Sequence, residues 1–325
     1  VQNKIIKNLV SNYFPFSHYI KSKKILEMQS ENYWNVDELI TNQIESDRPS
    51  LIGRIGGVEA SVLGSYLDVN YFETKYDPSA IVYSKLIFKR RLKQLSTNAG
   101  AFLNTSESLN HFFEEYKKCF SNAELFGCWG NTFTWSEYYF LKSLSKDKKF
   151  KVIPHMATSP WVDTYKNSQV SQFPWSKSLA NKKVLIISPF AKSFSDQFPK
   201  MNKIFPTKLY PNFSPVFLCA PLTQGRSDLN WRITLEETKK QIEFLDFDIA
   251  LISAGSYALP LANFVKEIGK IGINCGGELQ LFFGVLGKRW DNNVKFVKFF
   301  NEHWVRPRED EKPLNWQSIE GGCYW

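Results

Sequence analysis

The feature that most constrains this chain is a unit that recurs along it: a short apolar run, a glycine-bearing or polar junction, then residues at helical spacing. Ser50 to Ile55 (SLIGRI) turns through Gly56-Gly57 towards Glu59, Val62, Leu63 and Leu67. Lys183 to Ser188 (KVLIIS) turns through Pro189-Phe190 into a segment around Phe194 to Phe205. Asp248 to Ser253 (DIALIS) passes through Ala254-Gly255-Ser256 into a helix ending near Ile268, and Lys270 to Asn274 passes through Cys275-Gly276-Gly277 into a helix expected to reach about Gly287. Further strands are read at Ala123 to Trp129 and Val216 to Ala220, and further helices at Ala80 to Leu95, Ser106 to Phe120, Thr134 to Leu144 and Ile233 to Leu245. Strands with no polar alternation are buried on both faces, as in a parallel sheet covered by helices on either side. The expected class is therefore α/β: Rossmann-like, with a mainly parallel sheet and helices on both faces. A single α/β domain is expected over residues 31–325, behind an arm of residues 1–30, with a sub-boundary near the turn-rich stretch 156–180.

In such sheets ligands bind beyond the carboxyl ends of the strands, where glycines let the backbone approach and helix N-termini attract phosphate. Four junctions carry polar residues there: Arg54-Ile55-Gly56-Gly57-Val58-Glu59, Ser188-Pro189-Phe190-Ala191-Lys192, Ser253-Ala254-Gly255-Ser256 and Asn274-Cys275-Gly276-Gly277-Glu278. Together they predict a polar crevice suited to a diphosphate. Glu59 and Glu278 each lie one turn into a helix, as a catalytic base or metal ligand, or as a first-turn carboxylate complementing the helix dipole. Arg54 either meets a phosphate or forms a salt bridge. Trp129 and Asn131, in the turn after a strand, are candidates for contact with a sugar or base; a core role for Trp129 is the alternative.

Several chemistries are disfavoured. No Walker A sequence is present, and GRIGGVE lacks the G-x-G-x-x-G spacing of a dinucleotide site. The four histidines form no His-x-x-x-His pair and there is no serine elbow, so metal-hydrolase and Ser-His-Asp chemistries lose ground. The five cysteines are scattered and fit neither a zinc pattern nor a disulfide framework. With no secretory signal pattern or ~20-residue apolar span, the expectation is a cytoplasmic protein. The net charge of +9 permits an anionic partner. Lysines at 4, 7, 21, 23 and 24 interleave with apolar residues, so residues 1–26 either rest on an anionic bilayer, at the inner face of the membrane, or pack on the domain. Lys89-Arg90-Arg91-Leu92-Lys93 has no nucleic-acid motif beside it and reads as a solvated helix face; no nucleic-acid partner is expected.

Arg54-Ile55-Gly56-Gly57-Val58-Glu59 resembles the Arg-Phe-Gly-Asp-Gly-Glu segment of GT-D-type glycosyltransferases of bacterial surface-glycan and adhesin glycosylation. The run from Asp248 to Gly277 resembles that family's late strand–glycine–helix–strand segment, and the resemblance spans roughly Arg48 to Trp290. It implies transfer of a sugar from a nucleotide-sugar donor to a glycan or glycoprotein acceptor. Donor contacts would come from Arg54, Gly56, Gly57, Ser188, Lys192, Gly255, Ser256, Asn274, Gly276 and Gly277, and catalysis from Glu59 or Glu278. The family motif holds a divalent metal (manganese or magnesium) through an Asp-x-Glu pair. Gly57 stands in the Asp position here, leaving Glu59 as the one metal ligand of that motif, and Gly277 replaces the family's late His. Two other readings stay open: another transferase acting on surface-polysaccharide precursors, and a non-catalytic module that binds a nucleotide or anion.

Overall fold

The computed structural model describes residues 36–75, 78–128, 151–158, 162–163, 169–170, 175–205, 211–294 and 296–325. The arm of residues 1–30, Trp129, Asn131 and the helix expected at Thr134 to Leu144 lie outside the described residues.

Seven strands form one sheet in which every neighbouring pair is parallel. In chain order they are β1 (Ser50–Arg54), β2 (Leu125–Cys128), β3 (Lys151–Pro154), β6 (Lys183–Ser188), β7 (Ser214–Cys219), β8 (Ile249–Ile252) and β9 (Ile271–Asn274), arranged β3-β2-β1-β9-β8-β6-β7. A separate antiparallel pair, β4 (Val162–Asp163) and β5 (Gln169–Val170), falls in the turn-rich stretch. The α/β, parallel-sheet expectation holds. β3 had no counterpart in the sequence reading, because a four-residue run after a lysine-rich stretch gives almost no periodic signal.

Alternate strand residues point to opposite faces, so each strand feeds two cores. Leu185, Ile187, Ala250 and Ile252 join one core with Val62 and Leu63 of α2 (Gly57–Lys75), Phe112 and Tyr116 of α4 (Ser106–Asn122), Trp231 and Leu235 of α7 (Trp231–Glu243) and Leu259 of α8 (Ala258–Glu267). Val184, Ile186, Ile249, Leu251 and Ile273 join the other, with Ile40 and Ile44 of α1 (Val36–Glu45), Phe194 of α5 (Ala191–Gln197), Ile204 of α6 (Met201–Ile204) and Leu279 of α9 (Leu279–Phe282). Each fully buried Leu, Ile or Phe contributes roughly 1.5–3 kcal/mol, so these faces supply most of the driving force. Caps set two of the helices: Thr105 and Ser108 exchange hydrogen bonds at the start of α4, and Asn230 accepts from the N–H groups of Arg232 and Ile233 at the start of α7.

One sequence expectation changes. The helix after Gly277 stops at Phe282 rather than near Gly287, because Gly284 takes a left-handed φ of 65° and the chain turns to pair Val285 with Val305. The helix expected at Ala80 to Leu95 is present as α3 (Pro78–Gln94), and it runs on into a π-helical turn at Leu95–Ala99. Beyond Gly287 short turns carry Trp290, Trp304 and Trp325 into the second core. No helix among the described residues is long and apolar enough to cross a membrane.

Candidate functional site

β1 and β9 are neighbours, with Ser50 opposite Ile271, yet their chains leave the sheet on opposite faces: α2 packs into the first core and α9 into the second. Such a switch point opens a crevice beyond the carboxyl ends of the strands. A cavity of about 500 Å³ lies there, within the range of small-molecule sites. It brings together Arg54, Gly56, Gly57, Glu59, Gly255, Asn274, Gly276, Gly277 and Glu278, with Pro189, Phe190 and Ser253 beside them, so all four junctions picked out in the sequence reach it.

The floor is a buried polar cluster. Arg54, the last residue of β1, is 7% exposed; its Nη2 donates to Glu278 Oε2 at 2.7 Å and its Nη1 to the His155 carbonyl at 3.3 Å. Asn274, the last residue of β9, donates through Nδ2 to the Arg54 carbonyl at 2.8 Å and accepts from the Gly276 N–H at 3.2 Å. The two strand ends are thereby clipped together. Gly276 adopts φ 59°, and a Cβ there would collide with the Arg54 guanidinium, so glycine is required both for the backbone and for the ion pair beneath it. His155 Nε2 donates to the Ile55 carbonyl at 3.0 Å. Burial, and then the Arg54 charge, push the His155 pKa well below its ordinary value, so the ring is a neutral support. Cys275 is no nucleophile: burial pushes its thiol up to about 12.

Glu59 is the third residue of α2 and is 6% exposed. Burial raises its carboxyl from an ordinary 4.5 to about 7; the negative charge of Glu320 pushes the same way, while its own backbone N–H and Arg54 pull it down. Near neutrality Glu59 is therefore poised between its two protonation states, as a general acid or base requires. Glu278 differs: its carboxylate is already engaged by Arg54.

Three residues expected at the donor site do not line the cavity. Ser188 Oγ accepts from the Phe190 N–H at 3.1 Å in full burial. Ser256 Oγ accepts from Trp231 Nε1 at 3.0 Å. Lys192 pairs with Asp310 at 2.7 Å, and the N–H groups of Lys192 and Ser193 donate to Glu311 at 2.9 and 3.1 Å. An internal carboxylate thus occupies the place a phosphate would take at that junction. Among the described residues, no three His, Cys, Asp or Glu side chains gather into a metal-binding group.

Other parts of the wall were not picked out as site residues in the sequence. Asn98 and Ala99 come from the π-helical turn, and Arg289, Glu320, Tyr324 and Trp325 from the late turns. Gly255 sits against the turn, where a Cβ would lie 2.8 Å from the Ala99 carbonyl. These residues carry no strand–helix pattern; Glu320-Gly321-Gly322 was the one local signal, and all three adopt positive φ.

No family model matches the chain, and no curated protein matches it. Two solved structures are similar to it: a selenomethionine-substituted structure of domain of unknown function 1792, and one described as "The highly conserved domain of unknown function 1792 has a distinct glycosyltransferase fold". Their TM-scores are 0.45 and 0.44, each at 11% identity over 89% of this chain and 98% of theirs.

Proposed function

We propose that the chain is a glycosyltransferase that moves a sugar from a nucleotide-sugar donor to a glycan or glycoprotein acceptor, with Glu59 as the general base. What carries this reading is a buried glutamate on the wall of a cavity of about 500 Å³ at the sheet's switch point, its carboxyl pushed up by burial to about 7. The acceptor hydroxyl oxygen attacks the anomeric carbon while Glu59 takes its proton. The bond from that carbon to the diphosphate oxygen breaks, and the nucleoside diphosphate leaves with the electron pair. The first turn of α2, at Gly57 and Val58, lines the crevice where the negative charge develops, and Arg54 lines it too.

The reading includes no resident metal. Gly57 supplies no carboxylate, Glu278 is engaged by Arg54, and the Arg54 charge opposes a cation, so the donor set does not fit a divalent ion. Residues 1–26, when they meet a bilayer, would do so as a peripheral contact on the cytoplasmic side.

A melting-temperature screen against nucleoside diphosphates and nucleotide sugars, in EDTA and in manganese, tests the reading. A specific donor present at 100 times its Kd stabilises the fold by about 2.7 kcal/mol. The expected outcome is stabilisation by one nucleotide class and donor consumption that survives EDTA. If no nucleotide stabilises the protein and no donor is consumed, the reading is wrong. Activity abolished by EDTA and restored by manganese would remove its metal-free part.

A further inference from the structure

The crevice holds two arginines in very different states. Arg54 and Glu278 have side chains only 8% and 9% exposed, and breaking that pair would strand a buried charge. Arg289 and Glu320 are 26% and 35% exposed, with Arg289 Nη2 at 3.0 Å from Glu320 Oε2. Parting this more solvated pair leaves neither charge cut off from water, so it costs less than parting Arg54 from Glu278. Two further features mark it. The Arg289 guanidinium is layered on the Tyr324 ring, 3.9 Å from the ring centroid, and donates to Cys323 Sγ at 2.8 Å; its buried Nε has no hydrogen-bond partner. The cation is therefore fixed in place by packing rather than by its carboxylate. Glu320, by contrast, is held at φ 48°, a costly conformation for a residue with a side chain, and its N–H donates to Asn98 Oδ1 at 3.3 Å.

Building on the glycosyltransferase reading, we propose that Arg289 is the cation that binds the donor diphosphate, and that Glu320 is a built-in stand-in for that anion, displaced when the donor enters. Arg54 cannot serve alone, since Glu278 already matches its charge, and a multiply charged diphosphate calls for another cation on the cavity wall. Arg289 meets that need: Gly277 lies against it, with a Cβ position 3.2 Å from Nη1, so the guanidinium borders the glycine turn after β9. A guanidinium presents paired donors that match phosphate oxygens, which an ammonium does not. Glu320 also raises the Glu59 carboxyl through its charge, so an anion seated in its place keeps negative charge near the base.

Calorimetry with the full chain tests this, using UDP, GDP, CDP and ADP, the nucleoside of whichever binds best, and inorganic pyrophosphate. Arg289→Ala should weaken the diphosphate by about 10- to 100-fold and leave the nucleoside nearly unchanged. Arg289→Lys, which keeps the charge, should recover only part of that loss. Glu320→Gln should tighten the diphosphate by about 2- to 5-fold, because the competing carboxylate is gone. Wild-type affinity in both Arg289→Ala and Glu320→Gln, or weaker binding in Glu320→Gln, overturns the inference while leaving the glycosyltransferase reading intact. If Arg289→Ala does not fold, the sign of the Glu320→Gln effect decides. A wild-type chain that binds none of these anions sinks both.

Discussion

Replacing Glu59 with glutamine should stabilise the protein at alkaline pH while crippling it, and the sign of the stability change is the sharpest test of the site. Burial pushes the carboxyl up to about 7 in the fold, from 4.5 for an ordinary glutamate. At about 1.4 kcal/mol per pH unit, that displacement amounts to roughly 3 kcal/mol. Below the ordinary value the group is neutral folded or unfolded, and its burial carries no charge penalty. As pH rises towards 7 the unfolded chain ionises first while the fold keeps its proton, so stability falls with rising pH. Above 7 the whole penalty is present. Glutamine has the same shape and no charge, so the variant should match the wild type near pH 4 and exceed it by up to roughly 3 kcal/mol near pH 8. Denaturant titrations of both proteins at several pH values measure the difference directly. Turnover should move oppositely, falling by about 10²–10⁴-fold, and the rise of rate with ionisation near 7 should vanish. A variant less stable than wild type at pH 8, or one with the same pH dependence, would refute the argument: Glu59 would then be an ordinary first-turn carboxylate, whose loss costs about 0.3–1 kcal/mol. Stabilisation on removing a functional group is the expected trade at a site that buries charge for chemistry.

The other predictions concern the floor of the crevice. Gly276→Ala places a methyl against the Arg54 guanidinium at a left-handed position; it should cost about 1–3 kcal/mol in denaturant titration and lower nucleotide affinity through displacement of Arg54. Arg54→Met alone should cost about 3–5 kcal/mol by stranding the Glu278 carboxylate, whereas Arg54→Met with Glu278→Leu should regain much of that stability without regaining turnover. Equal losses in the single and double variants, read from melting curves, would show that the pair's packing rather than its charge matters.

The recurring strand–junction–helix unit was enough to determine the α/β class and the strands SLIGRI, KVLIIS and DIALIS, because uninterrupted apolar runs and helical spacing are local properties of the chain. The same locality placed Arg54, Glu59, Gly255, Asn274 and Gly276 at strand ends, where the parallel sheet later gathered them into one cavity. Which groups of a junction stay accessible was not local. Glu311, more than a hundred residues beyond Lys192 in sequence, folds back to accept from the Lys192 and Ser193 N–H groups, and Trp231 takes the Ser256 hydroxyl. Only the tertiary fold decides how such distant partners meet. The opposite departures of α2 and α9 from neighbouring strands likewise needed the strand order, which puts β9 beside β1 across more than two hundred residues. The titration of Glu59 was equally hidden: a glutamate in the first turn of a helix is usually solvated, and here burial together with the Glu320 charge moves it to neutrality. Arg289, Glu320 and Tyr324 lie in turns with no periodicity to read, and they became part of the site only because the late segment packs back across the carboxyl edge of the sheet.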